Sequence, residues 1–491
     1  MKKLSLLAII FFYGIFVISC GDKSKDDNVT LDPEKPVFAD VTPEQSKKDI
    51  ETSGKNMAGE LKSLNQEPGM QASVKAVDLI SGSKTMVAKK LKKTNAFKVL
   101  SAVKTLKGNN PQMKTVMKAM EDTEDDSILS IEQEFESLKG VYDYDYTKKD
   151  FVKVEENESI IINFPSNQAK FDAQINNAQL EFPKPKIKTI NNKDIDVSEL
   201  PEKIELTIKV DGNKAAGYLF EGSYRDDGVP TSLLSQIELG TYKCKLEMTN
   251  SDSEISANFS FTHGSTTLID IGGGVKGDFS ESAIQEVMVK KEVVYRDSFC
   301  QSWDFNNDTW ESVCTEYEYN EYTETTNEFH PDRVLSDANA HFQIMDIKIA
   351  GVIDFKNLYP IIEKNKNGEI SNEDAVKAIN EKMSLVVVYA SSNKAIAKAE
   401  AYLAETEHTE QVWNDETFQL EEITVKDTTI EFRFIFADDS KIDIKSYFQE
   451  GFDGLIDELN NLIDELNATY GWKMDKIDKN GTKEEEPNIN N

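Results

Sequence analysis

Histidine, cysteine and tryptophan are all rare in this sequence, with 4 of each among 491 residues. The histidines are His263, His330, His341 and His408. None falls in the His-Glu-x-x-His spacing that puts two imidazoles on one helix face for zinc. The Gly-x-Ser-x-Gly turn that presents a nucleophilic serine is missing as well. Positive charge is short: 56 Lys and Arg stand against 88 Asp and Glu, a formal net charge of −32. Such a surface repels nucleic acid and anionic lipid headgroups. Acids this numerous hide any catalytic pair, so a glycan-acting enzyme is kept only as a distant alternative. The sequence reads as a non-catalytic protein with no resident cofactor.

Apolar runs are equally scarce, and the one long stretch lies at the start. Met1, Lys2 and Lys3 give a positive beginning, Leu4 to Val17 is almost wholly apolar, and no charge returns until Asp22. The run falls short of the roughly 20 apolar residues of a membrane span. It has the layout of a secretory signal. Its exit, Val17-Ile18-Ser19-Cys20, resembles the lipobox of bacterial lipoproteins. That resemblance implies cleavage before Cys20 and acyl chains on its sulfur, hence a membrane as partner. Losing Lys2 and Lys3 with the leader takes the charge from −32 to −34. Lys25-Asp26-Asp27 is similar to the short export signal of Bacteroidota surface lipoproteins. It implies an outer-membrane location, surface-exposed or facing the periplasm. Leu138 to Tyr142, Ile162-Asn163-Phe164-Pro165 and the closing stretch Phe452 to Leu466 also resemble Bacteroidota envelope lipoproteins, a likeness that brings no activity with it.

With 39% hydrophobic and 9% aromatic residues, the mature chain can build real cores. The expected organisation is a signal peptide (1–19), a lipidated tether (20–42), a helical segment (43–139), an antiparallel β domain (140–286), a stapled hairpin (287–339), a mixed α/β region (340–474) and a polar tail (475–491). The fold class is α+β. In the helical segment Phe97, Leu100, Val103 and Leu106 recur at helix spacing, as do Ile128, Ile131, Phe135 and Leu138. From Gly140 the period becomes two. Ile204, Leu206, Ile208 and Val210 alternate up to the turn Asp211-Gly212, and Tyr218 and Phe220 lie on the return strand. Cys244 falls on the apolar side of a strand as a buried free thiol. Gly272-Gly273-Gly274 lacks the Lys-Ser/Thr of a phosphate loop. In the last region strands are expected at 342–355, 384–390, 417–425 and 429–436, with helices at 356–364, 372–381, 392–405 and 446–469.

Three candidate sites emerge. The first is the hairpin around Asn307. Its near-symmetric sequence sets Cys300 opposite Cys314, Ser302 opposite Ser312 and Tyr295 opposite Tyr319. An opposed pair lies within disulfide reach, and an exported protein meets oxidising conditions. Trp303, Trp310, Tyr317 and Tyr319 could face a glycan or a partner protein, or simply pack across the strands. The second is Glu363 to Asp374, similar to a calcium-binding EF-hand loop through Glu363, Asn365, Asn367, Glu369, Ser371 and Asp374. It departs from that pattern at both ends, with Glu first and Asp last, so any Ca²⁺ binding would be weak. Read structurally, Asn367-Gly368 makes a turn, and Ser371 with Asp374 caps the next helix. The third is an apolar concavity for a lipid, with Leu206 and Ile208 in its wall. Long one-sided apolar strands beside amphipathic helices motivate it. The expected role is therefore a lipid-anchored binding or structural protein, with an apolar-ligand carrier as the alternative.

Overall fold

The computed structural model describes residues 36–103, 131–190, 199–306, 311–414 and 419–449. Cys20, the tether as far as residue 35, Trp310 and the chain beyond residue 449 lie outside them. Helices come first. The Thr42 side chain accepts the Gln45 N–H at 3.2 Å, and Pro43 takes the first helical position, where no N–H is needed. This starts α1 (Pro43–Leu64). After it come α2 (Pro68–Gly82), α3 (Met86–Leu91), α4 (Asn95–Val103) and α5 (Ile131–Leu138). Helix α2 approaches the strands so closely that a Cβ on Gly69 would sit 1.9 Å from the Ala215 carbonyl oxygen.

The chain then turns to strands: β1 (Gly140–Asp145), β2 (Asp150–Glu155), β3 (Ile160–Phe164), the short α6 (Gln168–Asp172), β4 (Ala178–Phe182), β5 (Lys186–Thr189), β6 (Glu199–Val210) and β7 (Asn213–Tyr224). Asp211 and Gly212 turn the chain between β6 and β7 with positive φ of 49° and 82°, as an Asp-Gly hairpin requires. Next are β8 (Pro230–Leu239), β9 (Tyr242–Asn250), β10 (Glu254–His263), β11 (Thr266–Gly277), α7 (Glu281–Glu286), β12 (Met288–Asn306) and β13 (Glu311–Phe329). The C-terminal part holds β14 (Leu335–Ile344), β15 (Ile347–Ile353), α8 (Phe355–Lys366), α9 (Asn372–Lys382), β16 (Met383–Tyr389), β17 (Lys394–Asn414), β18 (Gln419–Phe436), β19 (Lys441–Asp443) and α10 (Ile444–Gln449).

These strands form one 17-stranded sheet, with β12 and β13 apart as a two-stranded ribbon. Pairing is antiparallel throughout the sheet except between β1 and β3. Strand β11 pairs directly with β14, so the ribbon is an excursion between two sheet neighbours. The protein is β-rich, and α+β describes it broadly. Helices cover one face. The largest core packs α1 to α5 on strands from β1 to β11, through Leu64, Ile80, Leu100, Ile162, Phe220 and Phe261 among others. On the same face, directly opposed pairs run onward from Phe259 and Phe261 through Ile271 and Ile269, Phe342 and Ile344, to Ile349 and Ile347. Further along, Ala397, Ala399, Phe434 and Phe436 meet Tyr447 of α10, while Ala401 meets Leu358 of α8 and Ile379 of α9.

Several expectations change. Residues 392–405 are not a helix but the start of β17. Ala395, Ala397, Ala399 and Ala401 are rich in helix propensity, yet Lys398, Glu400 and Tyr402 stand between them at period two, and pairing with β18 decides the outcome. The expected strands 417–425 and 429–436 are one strand, β18. The expected strand 342–355 is two, parted at Met345 and Asp346, where Met345 takes a positive φ of 52°. The ribbon register differs too. Cys300 stands opposite Tyr317, Trp303 opposite Cys314 and Tyr295 opposite Tyr322, with irregularities between Cys300 and Trp303. A bulge re-aims side chains locally. Cys300 and Cys314 are thus offset rather than opposed, and a disulfide joins them with Cα atoms 5.7 Å apart.

Candidate apolar binding site

The proposed wall residues Leu206 and Ile208 are not beside a hollow. They are 3% and 0% exposed inside the largest core, which is filled where they stand. An apolar cavity lies elsewhere, where α1 crosses the sheet between that core and the C-terminal one. Its volume is about 180 Å³. Ile50, Ser53 and Gly54 of α1 form its roof. Phe342 and Ile344 of β14, Ile347 and Ile349 of β15, Val387 of β16, Ile396 and Ala397 of β17, and Phe434 of β18 form its floor. Tyr447 of α10 closes one side. The rim is open at Phe342, which is 41% exposed, an unusual position for a large aromatic residue.

The sequence builds this wall by simple alternation. Ile347 and Ile349, and Phe434 and Phe436, sit two residues apart and so share a face. The break at Met345 and Asp346 places Ile344 opposite Ile347. That turn is held from outside, since the Asp346 carboxylate accepts the Ser391 N–H at 2.6 Å and the Ser391 hydroxyl at 2.9 Å. The Tyr447 ring is fixed by Phe434 and Phe436, with centroids 5.4 and 5.5 Å away. Its hydroxyl lies 2.8 Å from Ser46 Oγ. Ser46 gives its own proton to the Pro43 carbonyl at 2.7 Å, so Tyr447 donates and Ser46 accepts. Burial pushes the Tyr447 hydroxyl above its ordinary value. The cavity therefore keeps an apolar lining even where a tyrosine contributes to it. Nearby, the Tyr389 hydroxyl donates to the Asp49 carboxylate, tying α1 to β16.

A polar cluster sits on the opposite face. His341 of β14, buried, has Nε2 2.7 Å from Asp270 Oδ2, and Asn258 Nδ2 donates to Asp270 Oδ1 at 3.1 Å. Burial pushes the Asp270 carboxyl up, but the hydrogen bond and charge of His341, the Asn258 amide and the charge of Lys348 together bring it below the usual value. A Cβ on Gly272 would meet Asn258 Oδ1 at 2.1 Å and His341 Cε1 at 2.6 Å. The glycine triplet thus includes a cross-strand packing position within β11. At another place Tyr242 stacks on His263 at 4.1 Å, His263 Nδ1 meets the Glu60 carboxylate, and the Tyr242 hydroxyl is pushed up to about 12, chiefly by burial.

The EF-hand-like residues take up helix-end roles. Asn367 is the C-cap of α8, and Gly368 turns the chain with φ 72°. Ser371 caps α9 by accepting the Asp374 N–H at 3.2 Å. Asn365 donates to Asn372 Oδ1 at 3.0 Å, and Glu363 lies 3.9 Å from Lys366. Glu369 follows the turn, with its N–H on the Lys364 carbonyl. Among the described residues, no three His, Cys, Asp or Glu side chains gather as a metal ion needs. Trp303, Tyr317 and Tyr319 lie along the ribbon near the disulfide. Cys244 is free, 1% exposed and pushed up to about 12 by burial, as expected of an inert core thiol.

The cavity was missed in the sequence because its wall is drawn from five strands and two helices. The alternation at 384–390 and 429–436 was the available signal. No known protein family and no curated protein matches the sequence.

Proposed function

We propose that this chain is a lipid-anchored, non-catalytic binding protein of the bacterial envelope, and that its binding element is the apolar cavity beneath α1. The lining carries the reading: aliphatic and aromatic side chains from the sheet, with one serine and one tyrosine whose hydroxyl is already engaged. An apolar cavity of about 150 Å³ admits a benzene ring. A site of about 180 Å³ takes one ring, or one short alkyl end of a longer molecule entering past Phe342. It does not swallow a whole phospholipid.

The test uses residues 21–491, purified without detergent and titrated with toluene, a single-ring probe, in a calorimeter. The evolved heat should rise and saturate. Val387→Trp should abolish the rise, because the indole occupies the cavity, while circular dichroism and melting show a folded chain. Absence of any signal up to the solubility of the probe, or a signal untouched by Val387→Trp, removes the reading.

A further inference from the structure

A second concavity, polar and about 680 Å³ in volume, lies on the sheet face turned away from α1, where β16 parts from β17. Strand register brings its groups together. Lys276 of β11 stands opposite Asp337 of β14, and Asn339 stands opposite Val352 of β15. One step beyond the paired residues Ala338, Ile353 and Met383, the Asp354 N–H donates to the Lys382 carbonyl at 2.8 Å. Lys276, Asp337, Asp354 and Lys382 therefore follow one another across the sheet, cations at the two ends and acids between them. Glu381 and Lys398 complete the charged lining, and Val352 gives the floor an apolar patch.

Some of these groups are already engaged. Asp354 caps α8 by accepting the Asn357 N–H at 3.3 Å and its side-chain amide at 2.9 Å, with Lys382 Nζ 3.4 Å away. Others are not. Lys276 has Glu254 and Asp337 opposite it on the two neighbouring strands and pairs with neither. Asn339 and Glu381 also have no partner among the described residues. An ammonium, an amide and a carboxylate thus border one cleft with hydrogen-bonding capacity unused. In a chain of −32, the lining itself is balanced, three lysines against three acids. An ion of either sign would meet as many like charges as opposite ones, and a zwitterion finds no cationic end facing an acidic one. A hydroxyl group suits this lining, since it accepts from a lysine and donates to a carboxylate at once. The volume falls within the roughly 300–1,000 Å³ of small-molecule sites. The geometry points to a neutral sugar as the ligand of this cleft, its hydroxyls on Lys276, Asn339 and Glu381 and a C–H face of its ring on Val352. This cleft lies across the sheet from the apolar cavity and stands without it.

The experiment titrates residues 21–491 by saturation-transfer NMR with glucose, galactose, mannose and N-acetylglucosamine in turn. Galacturonate and glycine serve as the anionic and zwitterionic probes. At least one neutral sugar should bind saturably at millimolar concentration, with an affinity that added salt leaves unchanged, because no net charge is screened. Lys276→Ala and Glu381→Ala should each weaken it about tenfold, the loss of a hydrogen bond to a charged group. Both side chains are exposed, so both variants should melt as wild type does. Lys348→Ala, on the same face but outside the cleft, should change nothing. No binding by any of the four sugars overturns the proposal. So does binding that Lys276→Ala and Glu381→Ala leave intact, or that Lys348→Ala weakens as much. Tighter, salt-sensitive binding of galacturonate, or tighter binding of glycine, overturns it as well and assigns the cleft to a charged ligand.

Discussion

Asp270 shows how one carboxylate can be held in a sheet away from water. It is hydrogen-bonded by His341 and by Asn258, and Gly272 leaves the room those two side chains need. Because the folded state holds this carboxyl below its ordinary 3.8, the ionised form stabilises the fold. That contribution is complete above the unfolded value and fades as pH falls through the lowered folded one. Asp270→Asn should therefore cost about 1.5–3 kcal/mol near pH 7, as expected for a lost hydrogen bond to a charged group. The gap to wild type should narrow in acid below about pH 4. Urea unfolding at a series of pH values checks both; an equal gap at pH 7 and pH 3 would refute the assignment. Gly272→Ala should destabilise at every pH, since its clash is steric. At this scale the sequence was partly legible. Cys244 could be placed on a strand's apolar face from its neighbours alone, and Ser371 as a cap from its spacing to Asp374. His341 could not be paired with Asp270, because strand neighbours 71 residues apart leave no local pattern.

Long β17 illustrates the same limit for elements. Its alanines favour helix in isolation, and only the partner β18 fixes it as strand. Strand β16 pairs with β17 from Lys394 to Lys398 and then parts from it. Beyond that fork, Asn380 of α9 takes over: its Nδ2 donates to the Ala401 carbonyl at 2.9 Å, and the Ala401 N–H donates to its Oδ1 at 2.8 Å. One side chain thereby reproduces a strand's pair of backbone hydrogen bonds. Asn380→Leu leaves both groups of Ala401 unsatisfied and should cost about 2–4 kcal/mol, counting about 1–2 per group. It should also raise exchange of the Ala401 amide well above that of Val387. A loss below 0.5 kcal/mol by denaturant unfolding would show that water replaces the clamp. The ribbon teaches a related lesson. Symmetry about Asn307 found the right cysteine partners but the wrong register, because bulges carry no clear sequence mark.

Across the whole molecule, the sheet is fastened to its own N-terminal tether. The Ala395 N–H donates to the Val37 carbonyl and the Ala39 N–H to the Ala395 carbonyl, both at 2.8 Å, so the chain is fixed from about residue 37. Pro36 lies sixteen Cα–Cα steps beyond Cys20. Fully extended they span at most about 55 Å, so a lipid on Cys20 would keep the start of β17 within that distance of a membrane. On the proposed anchoring, lipid on this tether is what holds the chain at the membrane. Cleaved before Cys20 as proposed, the chain would carry −34 and would not be drawn to an anionic bilayer. Among the described residues, no helix is long and apolar enough to cross one. Two or more acyl chains, at about 0.8 kcal/mol per buried methylene, suffice for stable anchoring. Cys20→Ala should then remove palmitate label and shift the protein out of the membrane fraction at low and high salt alike, since no electrostatic attachment remains to be screened. Replacement of Lys25, Asp26 and Asp27 by Ala should leave the label in place and reduce cleavage by protease added to intact cells. Equal label in Cys20→Ala and wild type would overturn the anchor. Equal cleavage in the triple variant would leave the anchor standing and assign those three residues to the tether alone.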